Sequence, residues 1–382
     1  MVDAADDIAN EENVDPRSDR SKGKKKVSFQ GEDDVLTFMR KEFKNLHEAP
    51  GSTFTSSFTS GDGQTIGYAI GAPKKPKNCK ESTVIMLPGL SGTAEGFIEW
   101  FSSLEESGAN VVAMDYRGYG LSTGPWTWDK GPKDVVYRGL SIARLATDVK
   151  ELVDHLGITK FSLLGHSIGV NVIMSFMRSY GNQYKINSLM LLDQNVNNAG
   201  VNPDADPSFP DIQTYPIENI VQMVQGLSVY DSSKPIPYTG LDSSIRAMFP
   251  VLGVNGSKAG FVTTENGINR WMEKLGKSNG VVFAHLMWNS LSQDFSDVPS
   301  YIRSKRIPVF VYAGLASIIP SAPVIWSYNQ MVPESVAPES KTHKLLIFNE
   351  SIGTHCPFLN EDGSQFEFFA ELGTFVKNNA VS

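Results

Sequence analysis

The five residues Gly165-His166-Ser167-Ile168-Gly169 carry the clearest chemical signal in the chain. A serine hydroxyl is a weak nucleophile until a general base takes its proton and a third group orients that base. Glycines at 165 and 169 allow a tight strand-to-helix turn that holds the serine in a strained conformation. The hydroxyl then stands at a helix N-terminus, where the dipole helps stabilise negative charge. The flanking runs suit this turn: Phe161-Ser162-Leu163-Leu164 reads as a strand and Val170-Asn171-Val172-Ile173-Met174 as a helix. Six histidines could supply a base: His47, His155, His166, His285, His343 and His355. His155 and His166 flank the strand before the serine and read as packing or hydrogen-bonding positions.

Regular elements must position these groups. Segments 53–59 and 65–70 alternate around Gly61-Asp62-Gly63 and predict a β-hairpin. Segment 82–87 is a β-branched apolar run of the buried-strand type. A helix follows at 94–106, with Phe97, Trp100, Phe101 and Leu104 on one face. Strand 110–115, helix 137–156, strand 160–164, helix 168–180 and strand 186–193 complete a first half. Strands alternating with helices imply right-handed crossovers and a mostly parallel sheet. The alternation stops over 194–306, which holds helical patterns near 217–227, 267–274 and 281–291. A structureless loop of that length is improbable in a compact domain, so the insert reads as a helical cap. Strand 307–312, a helix around 322–330, strand 343–348 and helix 363–377 close the chain. The catalytic core is thus expected at 51–193 and 307–382, with the cap at 194–306.

Residues 1–50 are dense in Asp, Glu, Lys, Asn and Ser, and predict a disordered charged tail. A short docking helix fits 35–46, and the basic run Lys22 to Lys26 reads as part of a solvated tail. The net charge of −8 argues against nucleic acid as a partner. Two cysteines, Cys79 and Cys356, form neither a disulfide framework nor a metal-binding spacing. No apolar stretch reaches bilayer-spanning length and no secretory signal opens the chain, so the expected location is cytoplasmic.

From 53 to 376 the chain resembles the α/β-hydrolase superfamily. The resemblance rests on the serine turn and on Leu87-Pro88-Gly89-Leu90-Ser91-Gly92. It rests also on Asp115-Tyr116-Arg117-Gly118-Tyr119-Gly120-Leu121-Ser122 and on Leu152-Val153-Asp154-His155-Leu156-Gly157-Ile158. It implies an α/β fold, with a mostly parallel sheet, helices on both faces and a helical cap after the sixth strand. It implies an oxyanion hole made by the backbone N–H groups of Leu90 and Ile168. Pro88 stands where the family usually has His. The base would be His355, in Asn349-Glu350-Ser351-Ile352-Gly353-Thr354-His355 after the last strand.

The acid departs from the pattern. The family's usual carboxylate follows the seventh strand, where this chain has Val311-Tyr312-Ala313-Gly314-Leu315-Ala316-Ser317 and no carboxylate. Asp193, ending the sixth strand, is the candidate acid, because some relatives place theirs there and a charge after a buried strand needs a partner. The competing reading of Asp193 is a turn cap. Glu350 is a weaker candidate. Asp115 reads as pairing with Arg117 or anchoring its own loop.

Serine at the elbow, where epoxide hydrolases and haloalkane dehalogenases have Asp, points to acyl transfer. The expected activity is hydrolysis of a carboxylic ester or related acyl substrate, small and apolar or moderately polar, with no cofactor and no metal. A cofactor-free haloperoxidase or perhydrolase and a non-catalytic binding protein of the same fold are the alternatives. Trp126, Trp128, Phe249, Phe261, Trp271 and Trp288 stand around the expected pocket and read mostly as core, with those in the insert as cap core or as lining for a cavity. Substrate identity and oligomeric state are not encoded in these patterns.

Overall fold

A computed structural model describes residues 54–71, 83–122 apart from 91, 98–99, 102–103 and 105–106, 139–197, 280–359 apart from 334, 337–339 and 350, and 364–380. The expected tail, the docking helix at 35–46, the basic run, His47, Cys79, Glu350 and the cap segments 217–227 and 267–274 lie outside these residues. So do Trp126, Trp128, Phe249, Phe261 and Trp271.

An eight-stranded sheet organises the chain, in the order β1-β2-β4-β3-β5-β6-β7-β8. The strands are β1 (Phe54–Thr59), β2 (Thr65–Gly71), β3 (Thr83–Leu87), β4 (Asn110–Met114), β5 (Lys160–His166), β6 (Lys185–Leu192), β7 (Val309–Gly314) and β8 (His343–Phe348). β1 and β2 pair as the expected antiparallel hairpin, and β2 pairs antiparallel with β4. From β4 to β8 every pairing is parallel, as strand–helix alternation requires. β3, β4 and β7 are buried at every residue, because helices cover both faces.

One face carries α1 (Ile142–His155), α2 (Ile168–Tyr180), α4 (Val298–Ser304) and α5 (Ser321–Met331), with Ile142, Val172, Ile302 and Val324 in its core. The other is covered by Trp100, Phe101 and Leu104 and by α6 (Ser364–Asn379), through Phe368, Leu372 and Val376. α3 (Gly280–Leu291) reaches the first face through Val282 and Leu286.

Element ends differ from expectation where local capping decides. α1 begins at Ile142 instead of 137, because the Ser141 hydroxyl accepts the Arg144 N–H at 3.1 Å and caps the first turn. The segment after Gly92 opens as a 3₁₀ turn, Ala94–Phe97, before the helical residues Trp100, Phe101 and Leu104. α4 was not anticipated. Its signature is Pro299 in the first turn after Asp297, a helix start that is easily taken for loop. Among the described residues no helix is long and apolar enough to cross a membrane.

Candidate active site

Ser167 sits between the end of β5 and the first residue of α2, with φ 53° and ψ −123°. A non-glycine residue at positive φ stores strain of about 1–3 kcal/mol, which its surroundings must hold in place. Two close approaches do so. A side chain at Gly169 would press into the Leu87 carbonyl oxygen, and one at Gly165 would meet the Gly169 backbone at 2.5 Å. Only glycine lets α2 start this near β3 and β5. The Ser167 N–H donates to the Leu192 carbonyl at 2.9 Å, tying the turn to the end of β6.

That end of β6 is where Asp193 stands, wholly buried and also at positive φ, 52°. Its N–H donates to the Tyr312 carbonyl at 3.0 Å, so β7 fixes the backbone. Its carboxylate accepts three hydrogen bonds. Gly314 N–H reaches Oδ1 at 3.2 Å. His355 Nδ1–H reaches Oδ2 at 2.6 Å, and the Ser317 hydroxyl donates to the same oxygen. Asp193 and His355 are therefore partners across 162 residues of chain.

His355 is itself buried, and its loop is held from two sides. The Tyr312 hydroxyl donates to the Thr354 carbonyl at 2.7 Å. Burial, with the Asp193 charge nearby, pushes this phenol well above its ordinary range, so it remains a donor. From the other side, His166 Nε2–H donates to the His355 carbonyl at 2.9 Å, and the two rings lie 4.6 Å apart. Complete burial, reinforced by the neighbouring His355, holds His166 well below the usual histidine range and keeps it neutral. The residue before Ser167 thus packs directly on His355.

The loop after β3 closes the site from a third direction. A side chain on Gly89 would come to 2.6 Å from His166 Nδ1 and 3.4 Å from Ser167 Cβ, so bare backbone passes beside the serine. Leu90 follows it, partly buried against the core. Ile168 opens α2 and is buried. Among the described residues no group of three or more His, Cys, Asp or Glu is arranged to hold a metal ion.

Of the two readings of Asp115, the structure bears out the loop anchor and not the pair with Arg117. Arg117 does not turn to Asp115. It makes a fork onto Asp148 of α1 at 2.5 and 2.7 Å and another onto Asp62 of the hairpin turn at 2.5 and 2.9 Å. Asp115 instead anchors two loops, accepting Ala94 N–H at 2.6 Å and Leu121 N–H at 2.8 Å. Burial is the main influence on its carboxyl and pushes it up to about 6; the two N–H donors oppose this. A carboxyl raised in the folded state costs nothing below the unfolded pKa near 4. The full penalty, about 3 kcal/mol for a shift of roughly two units, is present above pH 6. Stability relative to Asp115→Asn is therefore expected to fall by about that amount between pH 4 and 6.5, then level off. Urea unfolding of both proteins across this range checks it; parallel pH profiles would refute the assignment.

Of the other described histidines, two are packed against the fold. His155 stacks on Phe58 at 5.3 Å, and His343 is buried at the start of β8. His285 lies on α3, whose Trp288 is exposed. The sequence singled out Ser167, Asp193 and His355. It did not reveal Ser317 or Tyr312 as their supports, because a hydroxyl in a loop has no pattern of its own.

Comparison with known proteins agrees with this architecture. The pattern of the α/β hydrolase fold family matches residues 82–342. The soluble epoxide hydrolase of Corynebacterium sp. (strain C12) is 35% identical over 107 residues, or 27% of this chain. The match spans only 32% of that enzyme's length. Among solved structures, the esterase EaEST from Exiguobacterium antarcticum overlays 84% of this chain and 99% of its own, at TM-score 0.61 and 16% identity. A bromoperoxidase from Bacillus anthracis overlays 85% and 100%, at TM-score 0.60 and 14% identity. At such identities the likeness is one of fold.

Proposed function

The chain belongs to the α/β hydrolase fold family, and we propose that it is a serine hydrolase cleaving a carboxylic ester or related acyl substrate through an acyl-enzyme. The observation that carries this reading is the 2.6 Å bond between Asp193 and His355 beside the strained Ser167 turn. A carboxylate on Nδ1 selects the imidazole tautomer whose Nε2 can accept a proton.

In this reading Ser167 Oγ attacks the substrate carbonyl while His355 Nε2 takes its proton. Asp193 stabilises the imidazolium that forms. The N–H groups of Ile168 and Leu90, with the N-terminus of α2, receive the oxyanion. Collapse of the tetrahedral intermediate breaks the ester bond, and His355 returns its proton to the leaving alkoxide. Water, deprotonated by the same histidine, then releases the acid and restores Ser167. The insert after β6, stopping short of α4, which packs on the sheet, would cover the site as a cap and set the size of a small, apolar or moderately polar acyl group. No cofactor enters any step.

The Corynebacterium relative is named for epoxides, but a serine at position 167 supports acyl transfer instead. The bromoperoxidase fold neighbour keeps one alternative in play, in which peroxide replaces water as the second nucleophile. Halogenation of monochlorodimedone with acetate and peroxide separates that outcome from simple ester hydrolysis. The principal test is labelling with a fluorophosphonate probe. The wild-type protein is expected to react and Ser167→Ala to remain unlabelled. Folded wild-type protein that takes no label would overturn the proposal in favour of a non-catalytic binding role.

A further inference from the structure

We propose that Ser317 is a positioning residue for the reaction, fixing through Asp193 the carboxylate oxygen that His355 uses. The inference rests on the serine-hydrolase reading above and extends it to the group that holds the acid in register.

Asp193 Oδ2 receives two donors, the Ser317 hydroxyl and His355 Nδ1–H. Among the described residues Oδ1 is held only by the longer Gly314 bond at 3.2 Å. The terminal torsion of an aspartate is soft, with a broad two-fold profile. One long bond to Oδ1 leaves the carboxylate plane free to rock, and the 2.6 Å bond to His355 would rock with it. A second donor on Oδ2 removes that freedom.

The direction of the Ser317 proton is also fixed. Its Oγ accepts the Ile319 N–H at 3.0 Å, and the residue is only 2% exposed. With a donor already on the oxygen and bulk water excluded, the hydroxyl proton has Asp193 as its acceptor. The loop itself is fastened to the segment that bears the base. Leu315 N–H donates to the Phe348 carbonyl at 3.0 Å and Ala316 N–H to the Gly353 carbonyl at 2.9 Å. A side chain at Gly353 would meet Leu315 N at 2.8 Å and backbone oxygens closer still, so the two loops lie in direct contact. Ser317 therefore extends from a loop braced on the His355 segment to the oxygen that orients His355.

A hydroxyl in such a loop could instead serve only the turn, since the Ile319 bond is local. The two roles separate in a double-mutant cycle. Ser317→Ala is expected to lower kcat on a p-nitrophenyl ester roughly tenfold to a hundredfold with KM within about twofold, the pattern of a lost transition-state interaction. Ser317→Cys, which keeps the volume but donates weakly, should show the same loss and stands in if the alanine protein does not fold. Ser317→Thr should recover activity to within about threefold of wild type, because the hydroxyl is restored. In an Asp193→Asn background, Ser317→Ala should change the residual rate less than about twofold, since its route to His355 is already cut. Wild-type kcat in both Ser317→Ala and Ser317→Cys, alongside an impaired Asp193→Asn, would overturn the role of Ser317 alone. So would a Ser317→Ala factor that is as large in the Asp193→Asn background as in the wild type. Full activity in Asp193→Asn is a different result, which removes the triad reading and Ser317 with it.

Discussion

Asp193→Asn is expected to lower kcat about 10³- to 10⁴-fold while the protein stays folded. The geometry explains why so small a change should cost so much. Asp193 is wholly buried and surrounded by donors: Gly314 N–H, the Ser317 hydroxyl and His355 Nδ1–H. An amide nitrogen in place of one oxygen would set donor against donor. The least costly relief is for the imidazole to move its proton from Nδ1 to Nε2. In the proposed mechanism that nitrogen would then meet the serine as a donor and could not accept its proton. The buried negative charge that would balance the imidazolium is lost as well. Ester turnover and fluorophosphonate labelling rates, with circular dichroism to confirm folding, measure the effect. A loss below tenfold would remove Asp193 from the mechanism.

The second large effect concerns stability. Arg117→Ala is expected to destabilise the protein by about 3–5 kcal/mol, the usual consequence of removing one partner of a buried ion pair. Arg117 is 3% exposed and Asp148 1%, joined by two short bonds. Burial alone would weaken the guanidinium's hold on its proton, but Asp148 and Asp62 more than offset this and keep it charged. Without it, Asp148 retains among the described residues only Arg144, at 2.8 and 3.2 Å, from a half-buried neighbour on its own helix. The hairpin turn also loses the Arg117 bridge from Asp62 to Asp148, keeping the 3.8 Å ion pair of Asp62 with Arg144 and the Gly61 N–H bond to Glu151 at 2.9 Å. Arg117→Lys should recover less than half of the loss, because a single ammonium cannot serve both forks. Urea unfolding decides the matter, and a destabilisation under 1 kcal/mol would show that the network contributes little.

These two sites show where sequence reading succeeds and where it stops. The neighbourhood of Ser167 is legible because backbone geometry leaves a residue-type signature: only glycine tolerates the approach of α2 to β3 at position 169. The buried strands are legible for a similar reason, as unbroken apolar runs are what a sheet covered on both faces requires. Asp193 could be narrowed to a strand end, but its partner lies 162 residues away, and sequence alone does not say which way a side chain turns. Arg117 shows the same limit. Its proximity to Asp115 left a pair and a loop anchor both open; Asp115 is the anchor, and Arg117 finds Asp148 and Asp62, on elements distant in sequence. Ser317 drew attention only for lacking charge, whereas its hydroxyl donates to Asp193.

The left-handed backbone at Asp193, φ 52°, limits which residues could ever stand there. Glycine, asparagine and aspartate enter this region most readily, and longer or branched side chains do so at a cost. Of the three, aspartate alone carries charge. Asp193→Glu would add a methylene in a fully enclosed space and strain the main chain as well, so the other natural acid is a poor substitute. The backbone thus admits the two replacements that carry no charge and resists the one that would keep it. On the role proposed for Asp193, loss of activity is conformationally open to a lineage drifting at this position, and gradual adjustment of the acid is not.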